Sequence, residues 1–228
     1  AASRSASGPA QDAKDIVQRM ETAANRLQDY TMLLVRQEYF LDDGRLEPEG
    51  QLLFKWSRPY KVYFKNVAGP NVGREVIWVR GWNNDRIRMH KGSFPDIRLN
   101  LDPHGAWATD GAHHPIDRSA LPDLVNIVVT NVKLATNLGE GTSRWLGVRV
   151  VDGRTCDEVE FVGPRVGENH VMAQGETLWD VARRGVTSAY SILQANRARG
   201  YTSLSSVKAG DTIFVPRYYA GRLAVAVD

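Results

Sequence analysis

Two adjacent histidines, His113 and His114, have Asp110 and Asp117 nearby, and these residue types come nearest to a metal site. Imidazole and carboxylate groups bind a transition metal when several of them converge on one point. Adjacent residues of an extended strand point to opposite faces, so this histidine pair makes a poor chelate. We therefore expect no metal site in this chain.

Residue patterns for nucleophilic or cofactor chemistry are missing as well. The sequence contains no nucleophile elbow, no His-Glu-x-x-His run and no phosphate-binding loop. The single Cys156 can form no internal disulfide, and its strand context indicates a buried small apolar side chain. His90 and His104 stand alone and are expected to make local hydrogen bonds. We expect a protein that is not an enzyme and carries no cofactor.

The most distinctive pattern lies in three runs: HVMAQGETLWDVARRG at 170–185, SILQAN at 191–196 and KAGDTIFVP at 208–216. Gly175 provides the backbone freedom for a tight turn after a short strand. Thr177 is placed to cap one helix, and either Thr187 or Ser188 to cap a second helix that ends at Asn196. A Gly-Asp turn then leads into a strand that a proline ends. The pattern predicts a strand–helix–helix–strand unit.

This unit resembles the LysM module, a small βααβ fold that binds glycans containing N-acetylglucosamine. The resemblance covers about residues 168–217 and is carried by the Gly-Glu-Thr-Leu-Trp run, the Ala-Asn pair and the Gly-Asp-Thr-Ile-Phe-Val-Pro ending. It implies a shallow groove between the loop after the first strand and the loop before the last one. The glycan-binding residues that it implies are Gly175, Glu176, Thr177, Leu178, Asn196 and Ile213.

Within that implied groove, the first four residues form one wall, and their backbone groups meet the N-acetyl and hydroxyl groups of the sugar. Asn196 and Ile213 are assigned to the other side. Trp179 is expected to belong to the core of the module and not to stack on the sugar. An alternative interpretation is that all these residues only maintain the small fold.

The chain before this unit predicts a helix followed by antiparallel strands. Residues 12–29 place apolar side chains on one face at helical spacing. After Tyr30 the pattern changes to period two with short turns, and Asp43-Gly44 predicts a hairpin. Further strands are predicted at 60–66, 74–80, 85–90 and 96–101.

A second helix is predicted over residues 119–137, although its β-branched content leaves a strand as the alternative. Strands at 143–151 and 155–162 form a predicted hairpin around Asp152-Gly153. This succession resembles the lipoprotein-carrier fold, in which a strongly curved antiparallel sheet wraps around helices. The runs KWSRPYKVYFKN, GREVIWVRG, LNLDPHG and HHPIDRSAL are similar to an uncharacterised family of exported bacterial proteins of that class.

The predicted fold class is therefore α+β, with a curved antiparallel sheet packed on helices and a small βααβ LysM-like module. Aromatic residues are dense in the predicted meander, and a curved sheet of this kind can enclose an apolar cavity for an acyl chain. Packing of the same rings on the helices is the favoured interpretation. These residues are Trp56, Tyr60, Tyr63, Phe64, Trp78, Trp82 and Trp107.

Composition and charge exclude several functional classes. The chain has 228 residues, 43% of them hydrophobic, so a sizeable core is available. No run approaches the roughly 20 apolar residues that span a bilayer. The net charge is +3 and the excess of basic residues is dispersed, whereas a nucleic-acid interface needs a dense basic face. We expect no nucleic-acid partner.

The two ends of the chain complete the predicted organisation. The first twelve residues, AASRSASGPAQD, are small and polar, as a cleaved export signal or a trimmed chain would leave them. Residues 222–227 have a strand pattern, and we expect this strand to rejoin the main sheet, so that the module is an insertion. The predicted divisions are a flexible segment at 1–11, a sheet domain at 12–164, the module at 168–217 and a returning strand within 218–228.

Together these patterns predict a non-catalytic protein of the bacterial cell envelope, exported to the periplasm or the cell surface. Its expected partner is peptidoglycan or another N-acetylglucosamine glycan. Two alternatives remain open at this point: a periplasmic carrier of lipid or lipoprotein that the module localises, and a structural subunit of a surface assembly with envelope protein partners.

Overall fold

The computed structural model describes residues 12–40, 44–109 and 112–228. The predicted segment 1–11, Asp43 of the predicted hairpin turn and Asp110 lie outside these residues. The helices are α1 (Ala13–Arg26), α2 (Ala106–Thr109), α3 (Leu121–Leu138), α4 (Leu178–Arg183) and α5 (Ala189–Ala195). The strands are β1 (Asp29–Arg36), β2 (Tyr39–Phe40), β3 (Arg45–Leu46), β4 (Gly50–Ser57), β5 (Lys61–Ala68), β6 (Glu75–Val79), β7 (Ile87–His90), β8 (Arg98–Leu101), β9 (Thr142–Val151), β10 (Arg154–Val162), β11 (Gly167–Val171), β12 (Thr212–Pro216) and β13 (Arg222–Val227).

The first sheet is an antiparallel meander of six strands in the order β1-β4-β5-β6-β7-β8. β1 and β4 pair from Asp29 opposite Ser57 to Arg36 opposite Gly50, and the short β2–β3 ribbon continues beyond them. Alternate side chains of each strand face the core, which explains the period-two pattern of the sequence. The buried residues of this core are Phe54, Trp56, Tyr60, Val62, Val76, Trp78, Ile87, Ile116 and Ala120.

A second antiparallel sheet has three strands in the order β13-β10-β9. Helices α1 and α3 pack against each other and cover this sheet, where their apolar faces meet Val159 and Phe161. The side chain of Asp12 accepts a hydrogen bond from the backbone N–H of Lys14 at 3.0 Å and caps α1. The segment 121–138 is a helix and not the alternative strand, and Gly139 ends it with φ 64°.

The antiparallel α+β class is confirmed, but the structure divides the predicted single sheet in two. β8 pairs only with β7 in the described part of the chain, and β9 lies in the other sheet. The intervening residues explain the division, because Ile116 and Ala120 enter the core of the six-stranded sheet while α3 packs on the three-stranded one. Among the described residues, no helix combines the length and apolarity that crossing a bilayer requires.

Strand β13 lies beside β10, with Asp157 opposite Val227 and Val162 opposite Arg222. Residues 163–221 therefore leave the three-stranded sheet and return to it at neighbouring positions. Within this segment, β11 and β12 pair antiparallel from Gly167 opposite Pro216 to Val171 opposite Thr212. Helices α4 and α5 pack on this pair around a core of their own, whose most buried members are Leu178, Ala189, Ile192, Leu193 and Ile213.

Glu160 joins all three strands of the second sheet. Its carboxylate on β10 accepts hydrogen bonds from Arg144 on β9, at 2.6 Å, and from Arg222 on β13. The side chain of Glu160 is 1% exposed. The hydrogen bonds from Arg222 and Arg144 hold the pKa of Glu160 below its ordinary value.

We expect Glu160→Gln to weaken the attachment of β13, because the neutral amide leaves Arg144 and Arg222 facing each other without a carboxylate. Backbone amides of residues 222–227 should exchange hydrogen faster than in the unchanged protein, and the thermal unfolding midpoint should fall. Because the folded pKa of Glu160 is lowered, this contribution is present at neutral pH and is lost as the pH falls below about 4.5. Glu158→Gln, on the same strand, is the control, and equal exchange in both variants would contradict the assignment.

Candidate functional site

The loop after β11 is the predicted glycan-binding element, and the structure organises it around Glu176. One oxygen of the Glu176 carboxylate accepts hydrogen bonds from the backbone N–H of Ala173 at 2.9 Å and from the His170 ring at 2.7 Å. The other oxygen accepts from Arg184. Gly175 has φ 76°, which glycine adopts without strain. The result is a closed turn in which Gln174 and Gly175 are exposed.

The environment of Glu176 favours its ionised form. The backbone hydrogen bond from Ala173, followed by the bonds from His170 and Arg184, lowers the pKa of Glu176 to about 2. The carboxylate is therefore charged throughout the physiological range. A carboxylate that already accepts three hydrogen bonds is better suited to shaping the loop than to accepting or giving a proton.

Thr177 begins α4 with a reciprocal cap. Its hydroxyl accepts from the backbone N–H of Asp180 at 3.3 Å, and its own backbone N–H donates to the Asp180 carboxylate at 2.9 Å. These contacts occupy orphan backbone donors at the helix start. Thr177 therefore fixes the backbone where the loop enters α4, and Glu176 fixes the middle of the loop.

The loop before β12 lies next to this turn. The backbone N–H of Met172 donates to the carbonyl of Asp211, and the N–H of Gly210 donates to the carbonyl of Met172, both at 2.9 Å. Residues 173–177 and 200–210 consequently emerge at the same edge of the βααβ unit. The hydroxyl of Ser206 accepts from the backbone N–H groups of Thr202 and Ser203 at 3.2 Å and gives the second loop a defined shape.

The structure divides the six predicted residues into two groups. Gly175, Glu176 and Thr177 belong to the surface turn, whereas the side chains of Leu178, Asn196 and Ile213 are buried, at 2%, 1% and 0% exposure. Leu178 and Ile213 have apolar side chains, and both lie in the hydrophobic core of the unit. A glycan in the expected groove would meet the surface turn and backbone groups, and not these three side chains.

Asn196 has a structural role that the sequence pattern did not distinguish from binding. Its amide nitrogen donates to the carbonyls of Ile192 and Phe214, at 2.8 and 2.6 Å. Its amide oxygen accepts from the backbone N–H of Phe214 at 2.7 Å. The side chain thus joins the end of α5 to β12 and uses three of its four hydrogen-bonding positions inside the protein.

The βααβ unit contacts the rest of the protein through five neighbouring rings, here called the aromatic interface: Phe40, His104, His113, Trp179 and Tyr190. The Tyr190 ring lies 4.7 Å from His113 and 5.7 Å from Phe40, measured between ring centroids. Nearby, the hydroxyl of Ser191 donates to the carbonyl of Tyr219 at 2.6 Å. Trp179 is a buried residue of the unit, as expected, and it also contacts His104 across the interface.

The histidines considered as metal ligands each have a different partner. His113 bonds the Glu38 carboxylate, which also accepts from the His113 backbone N–H at 2.8 Å. His114 bonds the Tyr219 hydroxyl at 2.9 Å, and His104 bonds Asp117 at 3.1 Å. Residues 113 and 114 lie in a bend and not in the expected strand. Within residues 12–40, 44–109 and 112–228, no group of three or more His, Cys, Asp or Glu side chains is arranged to hold a metal ion.

Burial and hydrogen bonding together set the ionisation of three groups beside this interface. It lowers the pKa of His114 and raises the pKa of Tyr219 to about 12, so the pair is neutral near pH 7. Burial opposes ionisation of Glu38, but the hydrogen bonds and charge of His113 outweigh it and hold the pKa of Glu38 below its ordinary value.

A cavity of about 420 Å³ lies beside the aromatic interface. Residues of α3 and of the segment before it form one wall, and α4 with the connection to α5 forms the other. Sequence reasoning did not find this cavity, because its walls come from residues about sixty positions apart that carry no shared motif. The only sequence signal was the concentration of polar and charged residues at 104–118.

The seven meander aromatics differ in burial, and Tyr63 and Phe64 are half-buried. Trp56, Tyr60 and Trp78 are buried in the core of the six-stranded sheet, in edge-to-face contact at 5.5–6.2 Å between centroids. Trp82 and Trp107 are exposed.

Cys156 is buried and forms no disulfide, as expected for a small apolar residue.

Comparison with known proteins adds a family but no activity. The sequence profile of the family described as "Protein of unknown function (DUF1571)" matches residues 27–191. No curated protein matches the chain. Among solved structures, a DUF1329 family protein from Desulfovibrio piger is similar, with 14% sequence identity and a TM-score of 0.32. The alignment covers 69% of this chain and 62% of that protein, so the chain spans less than two thirds of its length.

We expect Asn196→Ala to destabilise the βααβ unit, because it removes three buried hydrogen bonds and leaves the Phe214 N–H without its partner. The expected loss is about 2–4 kcal/mol in the free energy of unfolding, measured by denaturant titration. Gln194→Ala, an exposed position of the same helix, should change the stability by less than about 0.5 kcal/mol. A loss no larger than that of the control would contradict this role.

Acid should loosen the turn formed by residues 173–177. Since the pKa of Glu176 is lowered to about 2, its stabilising contribution is complete above about pH 4.5 and declines as the pH falls toward 2. The protection factor of the Ala173 amide, which compares its exchange rate with that of an unfolded peptide at the same pH, should therefore fall over this range. In Glu176→Gln this protection should already be low at neutral pH and should change less with acid. An acid response that survives Glu176→Gln unchanged would assign the effect to another group.

Proposed function

Because the chain belongs to the DUF1571 family, whose function is unknown, we propose a function from the site: binding of peptidoglycan, or another N-acetylglucosamine glycan, through the βααβ unit. The unit is taken as LysM-like, and residues 12–164 as a lipoprotein-carrier-like domain that holds it. The protein is placed in the periplasm or on the surface of a bacterium. It acts without catalysis.

The observation that carries this proposal is the surface turn at residues 173–177. The turn is exposed at Gln174 and Gly175, yet Glu176 and the Thr177 cap hold its backbone in one shape. Binding of a flexible sugar is favoured when the protein side is already ordered, since less entropy is lost on association. The βααβ order and the antiparallel pairing of β11 with β12 support this proposal.

The chemistry of the turn suits an N-acetylated sugar. Backbone N–H and C=O groups can donate to and accept from an acetamido group, and a side chain at position 175 would stand where the sugar approaches. No atom lies within 4 Å of the position that a Cβ would take at Gly175, so the surface above it is open. The neighbouring loop at 200–210 supplies hydroxyl groups on the other side.

The sheet domain, in this proposal, positions the unit. The aromatic interface and the two short connections at residues 163–166 and 217–221 limit its movement. The alternative of an enclosed lipid site has less support, because Trp56, Tyr60 and Trp78 pack against one another in a filled core. A surface assembly has some support from β1, an edge strand with Leu33 and Val35 exposed at 57% and 51%.

The test is sedimentation of the full chain with insoluble peptidoglycan, comparing Gly175→Asn with Gly153→Asn. Both glycines have φ 76° and open space where a Cβ would stand, and Gly153 lies in the distant β9–β10 turn. Asparagine tolerates this φ, so both variants should fold. We expect Gly175→Asn to weaken retention about tenfold, which corresponds to about 1.4 kcal/mol, and Gly153→Asn to bind normally.

Absence of retention of the unchanged protein would refute the glycan assignment. Equal retention of both variants would leave the protein bound to peptidoglycan but remove the 173–177 turn from the contact. Free N-acetylglucosamine oligomers should compete with the insoluble polymer.

A further inference from the structure

The cavity beside the aromatic interface is separate from the proposed glycan turn. Trp179, Ala182 and Arg183 of α4 and the residues just after it line the cavity, whereas the turn precedes the same helix. Six helical residues rise about 9 Å, so the two places lie near opposite ends of α4. A volume of about 420 Å³ is within the range of small-molecule sites.

The cavity is lined by Arg80 and Arg118, neither of which forms a salt bridge with any residue that the structure describes. The guanidinium of Arg80 lies 5.0 Å from the centroid of the Tyr60 ring, which stabilises the cation without neutralising it. A third arginine of the lining, Arg183, pairs with Asp180. Two guanidinium groups thus retain their capacity to bind an anion.

The two carboxylates of the lining are already engaged. Asp117 accepts hydrogen bonds from His104, and Asp123 accepts from the Tyr60 hydroxyl and from the backbone N–H of Ala120 at 3.1 Å. Their hydrogen bonds fix the positions of the residues around them, and their negative charge weakens the attraction of the cavity for an anion.

Thr187 provides an independent observation. Its side chain is nine-tenths buried at the wall of the cavity, and its hydroxyl has no hydrogen-bond partner among the described residues. Ser188, not Thr187, caps α5. A buried hydroxyl without a partner destabilises the fold, and a ligand in the cavity that accepts its hydrogen bond would remove that cost.

We propose that this cavity binds a small ligand carrying a phosphate or carboxylate group, with Arg80 and Arg118 contacting the anion and the Thr187 hydroxyl donating a hydrogen bond. Guanidinium groups suit this task because their N–H donors match the spacing of two anionic oxygens. Because one wall belongs to the βααβ unit and the other to the sheet domain, a bound anion stabilises their contact. The site does not depend on glycan binding.

The experiment is isothermal titration calorimetry of the full chain at low ionic strength with three probes: inorganic phosphate, N-acetylmuramic acid and neutral N-acetylglucosamine. Saturable binding of phosphate identifies a phosphoryl ligand. Binding of N-acetylmuramic acid, without binding of phosphate or of neutral N-acetylglucosamine, identifies a carboxylate ligand, whereas equal binding of the two sugars would assign both to the glycan turn and count against a carboxylate in the cavity. Binding of neither anion to the unchanged protein would overturn the proposal.

Substitutions of the lining residues test whether the anion binds in the cavity. Arg80→Gln with Arg118→Gln should weaken binding of the anion at least about tenfold, or about 1.4 kcal/mol, and Thr187→Val roughly fivefold. Arg88→Gln, at an exposed arginine of β7, should leave the affinity for both anions unchanged. Gly175→Asn should leave the affinity for phosphate unchanged, because phosphate lacks the acetamido group that the glycan turn is proposed to bind. If circular dichroism reveals that the double variant is unfolded, Thr187→Val decides alone. An unchanged affinity in either cavity variant that folds would overturn the proposal.

Discussion

The pairing of β13 with β10 is the constraint on which the arrangement of this protein depends. Six residue pairs, extended by a hydrogen bond from the Gly163 N–H to the Gly221 carbonyl at 3.0 Å, bring the two ends of residues 163–221 side by side. A unit attached at two neighbouring points has far fewer orientations than one on a single linker. Glu160, between Arg144 and Arg222, adds charge-assisted hydrogen bonds to the same pairing.

The aromatic interface is the second constraint, and it works because the first has already brought its partners close. Tyr190 and Trp179 come from the βααβ unit, and Phe40, His104 and His113 from the sheet domain. Rings in edge-to-face and stacked contact favour a defined angle as well as proximity. Polar contacts of Tyr219 with His114 and Asn131 continue the interface toward β13. These contacts join the unit that carries the proposed glycan turn to the rest of the protein.

Local patterns predicted most elements of this fold. The helical spacing at 12–29 and 119–137 corresponds to α1 and α3, and the Asp-Gly pair at 152–153 lies in the β9–β10 turn. These signals are local because caps, turns and periodic burial depend on residues a few positions apart. The predicted single sheet was wrong, because a strand pattern does not say which neighbour the strand will pair with.

The candidate site likewise has some features that follow from local sequence and others that depend on tertiary packing. The sequence by itself determined a βααβ unit, an exposed Gly-Glu-Thr turn and a helix capped by Thr177, because each depends on residue types at short spacing. Only the tertiary structure decided that Leu178, Asn196 and Ile213 turn inward, that Glu176 is held by His170 and Arg184, and that Arg80, Arg118 and Thr187 share one cavity. Burial and convergence depend on which distant segments pack together, and no single stretch of sequence contains that information.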